Sequence, residues 1–385
     1  MRPNHRLLFL YMVSKTGHQR AAEAVMEAAS HMDPRVECVG LDAVSHAYPL
    51  IGNVFYRMYI QMLKRAPVIW DYLYDNPDVE EATRDARGLL TLISSFRTQK
   101  LLREYHPEAV VCTQAVPAIA LSAERRRGRL KVPLICVVTD FGVHSYWLHS
   151  EVDLYLVAHE DIKKEMVGKG IQENRIRVTG IPIAPQFGET LDPTEERLKL
   201  KINPHQKTLL VMGGSHGLGD LDELVDTLKT LPLSFQTLVV CGGNRTLYRK
   251  IKAATKGEKD FHMYGYVKNL RRLMGAADIL ITKPGGLTCS EALAMQLPMI
   301  LTNPIPGQEE RNVDFLTRHR VARFAQNAEE LIHTVHDLLK HPKNLLQLKQ
   351  RSRLISKPHS AWEAARLIFD LINKRGSFAS RNNSL

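Results

Sequence analysis

Short apolar runs rich in β-branched residues alternate along this chain with stretches whose apolar positions recur at helical spacing. The run from Leu7 to Val13 is followed by Ala21, Ala22, Val25 and Ala29 on one helical face, and then by a second run from Val36 to Leu41. Further runs at 109–112, 132–139, 154–158 and 176–179 read as strands by the same criteria. Strand-then-helix alternation predicts parallel sheets covered by helices, because a parallel strand pair needs a crossover that packs back on the sheet.

The pattern breaks at Gly180-Ile181-Pro182-Ile183-Ala184-Pro185, which precedes charged Glu195-Glu196-Arg197 and reads as a linker. A second α/β series follows, with strands at 208–212, 236–241, 278–282 and 299–302 and a helix marked by Leu221, Leu224, Val225 and Leu228. The expected organisation is therefore two open α/β domains, residues 1–188 and 189–375, with the last helix free to pack back on the first domain. The polar, small-residue segment 376–385 is expected to be a disordered tail. In open α/β sheets the ligand site lies beyond the carboxyl ends of the strands.

Composition sharpens the picture only at a few points. Lys and Arg outnumber Asp and Glu by 52 to 41, a net charge of +11 that suits an anionic partner: a phosphate-bearing ligand, a lipid headgroup or a nucleic acid. No helix-turn-helix or RNA-binding signature accompanies the charge, which argues against nucleic acid. The five cysteines are scattered, with no C-x-x-C pair, and fit reduced thiols in a cytosolic protein. The 16 histidines form no H-E-x-x-H or paired Cys/His spacing, so no structural zinc is expected. No run reaches the roughly 20 apolar residues of a spanning helix, so membrane association, if present, is expected to be peripheral.

Two loops carry candidate chemistry. Gly213-Gly214-Ser215-His216-Gly217-Leu218-Gly219 follows a strand and opens a helix; it reads either as a loop whose glycines let backbone N–H groups approach an anion or as a tight strand-to-helix turn with no ligand. A dinucleotide fold would need a G-x-G-x-x-G order and an acidic end to the next strand, but that strand ends in Cys241-Gly242-Gly243-Asn244. The second loop, Lys283-Pro284-Gly285-Gly286-Leu287-Thr288-Cys289-Ser290-Glu291, is either another anion site or a capping box in which Thr288 and Glu291 serve only the helix start. Two such N-termini together could neutralise a diphosphate without a metal. Asp220-Leu221-Asp222 matches a metal-binding D-x-D string, but acidic residues there simply complement a helix N-terminus.

These motifs resemble the monogalactosyldiacylglycerol synthase and processive diacylglycerol glucosyltransferase family of GT-B glycosyltransferases. The likeness rests on Thr282 to Thr288, Ser290-Glu291-Ala292 and Pro306-Gly307-Gln308-Glu309-Glu310-Arg311-Asn312. Thr139-Asp140-Phe141 with His144 and Trp147, Gly180-Ile181-Pro182 and Gly265-Tyr266-Val267 extend it over nearly the whole chain. It implies two Rossmann-like doubly wound domains facing a cleft. Of the donor site it implies Gly214, Ser215, Gly285, Gly286 and Thr288 near a diphosphate and Val267 beside uracil. Glu291 would accept from the ribose hydroxyls, Gln308 and Glu309 would contact the sugar, and Asn312 would support their loop.

In the first half, Ser14-Lys15-Thr16-Gly17-His18-Gln19-Arg20-Ala21-Ala22 matches the family's acceptor loop, although Lys15 and Thr16 stand where members carry more glycine. His18 is the candidate general base, with Asp140 and His144 next, and its ordinary alternative is a helix-start histidine with no chemical role. Tyr56, Tyr59, Arg65 and Trp70, in an aromatic and basic segment, read as a lipid-acceptor or membrane surface, and equally on spacing as an internal helical pair; Trp147 joins them by resemblance. The Arg125-Arg126-Arg127, Arg129 and Lys131 cluster could add attraction to anionic lipid, although a solvated turn is the default reading of such a charge run.

The expected activity is inverting transfer of glucose or galactose from a UDP-sugar to diacylglycerol or a related lipid at the cytosolic face of a membrane, with no metal or other cofactor. Three other readings share the pattern. They are a UDP-N-acetylglucosamine transferase acting on a polyprenyl-linked precursor, a UDP-sugar 2-epimerase, and a non-catalytic UDP-sugar sensor.

Overall fold

The alternating runs form two parallel sheets of six strands each. The structure, a computed structural model, describes residues 5–12, 16–47, 99–213 and 220–382. Contacts divide the chain into one unit of Met1–Pro185 with His359–Leu385 and a second of Gln186–Pro358.

In the first unit the order of elements is β1 (His5–Tyr11), α1 (Gly17–Met32), β2 (Val36–Asp42), α2 (Ala43–Ala47), β3 (Ala109–Cys112), α3 (Ala115–Arg126), β4 (Leu134–Val137), β5 (Leu154–Val157), α4 (Glu160–Gly168) and β6 (Ile176–Val178). The strands lie in the order β2-β1-β3-β4-β5-β6. Alternate residues feed opposite faces: Leu8, Leu10, Val110 and Leu134 enter one apolar cluster, while Leu7, Phe9, Val111 and Ile135 enter the other. The second face is covered by Ala22, Val25, Ala28 and Ala29 of α1 and by the C-terminal helix α13 (Ser360–Asn382), through Ala361, Ala364, Ala365 and Ile368. Alanine on both helices keeps the packed surfaces shallow, so the two backbones can approach closely.

The second unit contains α5 (Pro193–Lys199), β7 (Thr208–Met212), α6 (Leu221–Lys229), β8 (Gln236–Val240), α7 (Arg245–Ala254), β9 (Phe261–Tyr264), α8 (Leu270–Ala276), β10 (Ile279–Thr282), α9 (Gly286–Ala294), β11 (Met299–Leu301), α10 (Gln308–Arg318), β12 (Ala322–Phe324), α11 (Ala328–Lys340) and α12 (Pro342–Ile355). Its order is β12-β11-β10-β7-β8-β9. The two strands that periodicity misses, β9 and β12, are the two edges. Phe261 to Tyr264 is only half-buried, and β12 is three residues with Arg323 exposed, so neither shows the apolar run that central parallel strands need.

Chain reversal in strand order places a switch point between β1 and β3 in one sheet and between β7 and β10 in the other. Register sets which loops emerge together: Leu10 is level with Cys112 and Cys112 with Cys136, while Thr282 is level with Met212. Helix α13 runs from Ser360 to Asn382, through the first residues of the segment read as a tail. Gly376 costs a helix only about 1 kcal/mol against alanine. No proline follows it to enforce a stop. Among the described residues, no helix is long and apolar enough to cross a membrane.

Candidate functional site

At the first switch point, α1 begins at Gly17 behind the extended residue Thr16, and His18 occupies its first turn. The His18 Nδ1 lies 3.0 Å from the Thr113 carbonyl oxygen and 2.8 Å from Thr139 Oγ1. A carbonyl oxygen can only accept, so Nδ1 carries the proton and the lone pair of the neutral ring resides on Nε2. Thr113 closes the loop by donating its hydroxyl to the His18 carbonyl at 2.9 Å. The ring is thus held at the ends of β1, β3 and β4, three neighbouring strands of one sheet.

Burial pushes the His18 pKa below the ordinary imidazole value; the charge of Asp140 and the bond to the Thr113 carbonyl oppose that shift. Asp140 is itself buried, directly after Thr139. A neutral imidazole with a fixed tautomer and a carboxylate able to stabilise the imidazolium is suited to taking a proton from a hydroxyl.

His144 behaves differently. Burial, with the charges of His18 and Lys169 adding, pushes its pKa down to about 3. A ring so desolvated is a weak proton acceptor near neutral pH. It packs against Tyr146 and Trp147, with ring centroids 5.9 and 6.0 Å away.

Trp147 is 1% exposed and belongs to the core, with its backbone carbonyl accepting from the Tyr155 hydroxyl at 2.7 Å. The short turn Ser145–Trp147 rolls the indole inward, so the surface role expected for Trp147 is corrected to packing. Tyr56, Tyr59, Arg65 and Trp70 lie outside the described residues.

In the basic cluster Arg125 pairs with Asp153, Arg126 with Glu151, and both Arg127 and Arg129 with the fully buried Glu124. Three carboxylates thus answer four arginines of the cluster from within the same unit.

In the second unit, Gly214 and Ser215 lie outside the described residues, while the loop after β10 falls within them. Helix α9 has Gly285 as its N-cap, with no side-chain cap, and its first bond runs from Cys289 N–H to the Gly285 carbonyl. The N–H groups of Gly286, Leu287 and Thr288 consequently precede the intrahelical ladder, and their partial positive charge suits an anion. This geometry removes the capping-box alternative: Thr288 already sits inside the first turn, and Glu291 is too far along the helix to cap its start. Glu291 is instead a buried carboxylate, 2% exposed.

Helix α10 begins beside this platform. Gly307 adopts φ 82°, which glycine reaches without a Cβ clash, and its N–H donates to Glu310 at 2.9 Å. That turn aligns Gln308 and Glu309 at the helix start. Glu309 is held twice, by Lys283 Nζ at 2.6 Å and by the Ile305 N–H at 2.9 Å, while Asn312 donates to the Pro284 carbonyl at 2.9 Å. Sequence reasoning does not single out Lys283, although it opens the quoted loop. The roles of Thr113 and Thr139 escape it too, because a hydroxyl or a carbonyl acting on a distant histidine leaves no local pattern. Val267 is partly buried between β9 and α8.

Known proteins resemble the chain along most of its length. The family described as monogalactosyldiacylglycerol (MGDG) synthase matches residues 18–183, and the glycosyltransferase family 28 C-terminal domain matches 208–364. A processive diacylglycerol beta-glucosyltransferase of Bacillus cereus is 31% identical over 93% of this chain and 92% of its own. One of Bacillus subtilis is 31% identical over 91% of each chain. Among solved structures, Acinetobacter baumannii MurG aligns with a TM-score of 0.62 at 14% identity, covering 96% of this chain and 100% of that one. Anabaena Alr3699/HepE in complex with UDP-glucose aligns at 0.52 and 14% identity, covering 99% and 100%. These structural likenesses show the GT-B fold. With two matched family domains and near full-length relatives, the chain belongs to the monogalactosyldiacylglycerol synthase and processive diacylglycerol glucosyltransferase family of GT-B glycosyltransferases.

Proposed function

We propose that the chain transfers a hexose, glucose in the first instance, from a UDP-sugar to the hydroxyl of diacylglycerol, with inversion at the anomeric carbon. The observation that carries this reading is the fixed tautomer of His18, which leaves a basic Nε2 on a buried ring. A relative bearing the name diacylglycerol beta-glucosyltransferase supports the lipid acceptor and glucose, and the UDP-glucose complex of a structural neighbour supports the donor.

In the proposed reaction His18 removes the hydroxyl proton as the acceptor oxygen attacks the anomeric carbon. The bond from that carbon to the diphosphate oxygen breaks, and its electron pair leaves with UDP. Asp140 stabilises the imidazolium, and the N-terminus of α9 meets the charge on the leaving diphosphate, so the proposal needs no metal. Glu291 is assigned to the ribose, Val267 to uracil, and Gln308 and Glu309 to the sugar. Association with a cytosolic membrane face is proposed as peripheral, drawn by the +11 charge.

The test is to incubate purified protein with UDP-glucose or UDP-galactose and diacylglycerol-containing vesicles, with and without a chelator, and to identify the lipid product by mass. A glucosylated diacylglycerol formed equally with chelator is expected. Epimerised or hydrolysed UDP-sugar with no glycolipid would overturn the reading, and failure to float with anionic vesicles would remove its membrane part.

A further inference from the structure

The ion pair of Lys283 and Glu309 stands where the diphosphate is assigned. Lys283 follows β10 and lies two residues ahead of the α9 N-cap; Glu309 is in the first turn of α10. Both side chains are largely enclosed, at 19% and 10% exposure, and their charged atoms are 2.6 Å apart. A Cβ built on Gly285 would lie 3.9 Å from Glu309 Oε1, so the carboxylate borders the very residue that opens the helix. An anionic group there opposes a diphosphate, and in a partly desolvated position the repulsion is not screened away. Glu309 cannot turn aside, because its other oxygen accepts from the Ile305 N–H.

We propose that Lys283 is a positioning residue whose ammonium neutralises Glu309 at the mouth of α9, so that a nucleoside diphosphate meets no net negative charge beside the helix dipole while Glu309 keeps its carboxylate aimed for the sugar. This rests on the assignment of the donor to α9. The pair contributes a local charge of zero in the parent, one negative charge in Lys283→Met, one positive charge in Glu309→Gln, and zero again in the double variant. UDP affinity should follow that count. The single lysine variant removes the counter-ion of an enclosed carboxylate, an uncompensated charge that also strains the fold, whereas the double variant removes both members together.

The experiment is calorimetric titration with UDP of the parent, both single variants and the double variant, at low and high salt, with a thermal melt of each. Lys283→Met is expected to bind roughly tenfold more weakly than the parent, Glu309→Gln at least as tightly, and the double variant within a few-fold of the parent. Because the pair is largely enclosed, these gaps should persist when the salt is raised. A double variant as weak as Lys283→Met would show that Lys283 acts on UDP independently of Glu309 and overturn the inference. A Glu309→Gln protein that binds UDP more weakly than the parent would overturn it as well, and this holds even if Lys283→Met does not fold. Absence of UDP binding by the folded parent would overturn the donor assignment along with it.

Discussion

The two switch points are built from different materials. At the first, a side chain is pinned: the His18 ring is fixed by a carbonyl from one strand end and a hydroxyl from another, in a desolvated setting that lowers its pKa. At the second, backbone dominates: a glycine-capped helix start offers N–H groups, and an ion pair borders it. Proton transfer demands one atom in one protonation state, whereas holding a diphosphate demands a field of the right sign over several ångströms. The comparison predicts that damage to the first site appears in turnover and damage to the second in affinity.

The strongest break should come from His18→Ala. Loss of a general base typically costs about a hundredfold to ten-thousandfold in rate, and UDP affinity should stay near that of the parent. In the parent, activity should persist on acidification past the ordinary imidazole range, because the His18 pKa is lowered. Near-parental turnover in His18→Ala would place the base elsewhere.

The converse test is Glu291→Gln, in which a buried carboxylate loses its charge but nearly keeps its shape. If it accepts from ribose, UDP affinity should fall by about tenfold or more while the melting temperature changes little. Unchanged UDP binding in a destabilised protein would make Glu291 a structural residue.

A smaller effect sharpens the contrast through stability. His144 is held neutral in the folded protein, with its pKa pushed from 6.5 down to about 3 by burial. Below about pH 6.5 the unfolded chain takes up a proton that the folded one refuses. Stability therefore falls with falling pH, by about 1.4 kcal/mol per unit for one such group, until the folded-state value is reached. The lowered pKa of His18 acts in the same direction. Melting curves between pH 7 and 5 should slope less in His144→Gln than in the parent; equal slopes would remove His144 from the account.

Thr139→Val should give the smallest change. It removes one of two hydrogen-bond partners of Nδ1 but leaves the Thr113 carbonyl in place. A loss of about threefold to tenfold in turnover is expected, from the usual worth of one neutral hydrogen bond, with UDP affinity unaffected. A loss as large as that of His18→Ala would mean that Thr139 does more than orient the ring.

Much of this arrangement is legible in the sequence, for local reasons. The central strands announce themselves because parallel strands are buried on both faces and read as apolar runs, and Gly285 and Gly286 stand out because a helix opening after a glycine pair suits an anion. The edges β9 and β12 lack that signal, being half-buried or very short. The charge run at 125–129 looks like a surface attractant, yet Glu124, Glu151 and Asp153 answer it from within the same unit. Trp147 looks available and is buried, since the turn that carries it folds inward.

The sequence by itself determined the two α/β series, the places where strands give way to glycine-bearing loops, and the presence of His18 at a helix start, because periodicity and turn chemistry are properties of neighbouring residues. Only the tertiary structure decided that α9 begins at Gly286, which places Thr288 and Glu291 inside the helix and removes them as a cap. It alone decided the tautomer of His18, fixed by Thr113 and Thr139, which lie 95 and 121 residues away, and the partner of Lys283, 26 residues distant. Burial, and with it the lowered pKa of His18 and of His144, follows from the same long-range packing. Parallel strand order brings such residues to one sheet end, and no local pattern encodes which strand will lie beside which.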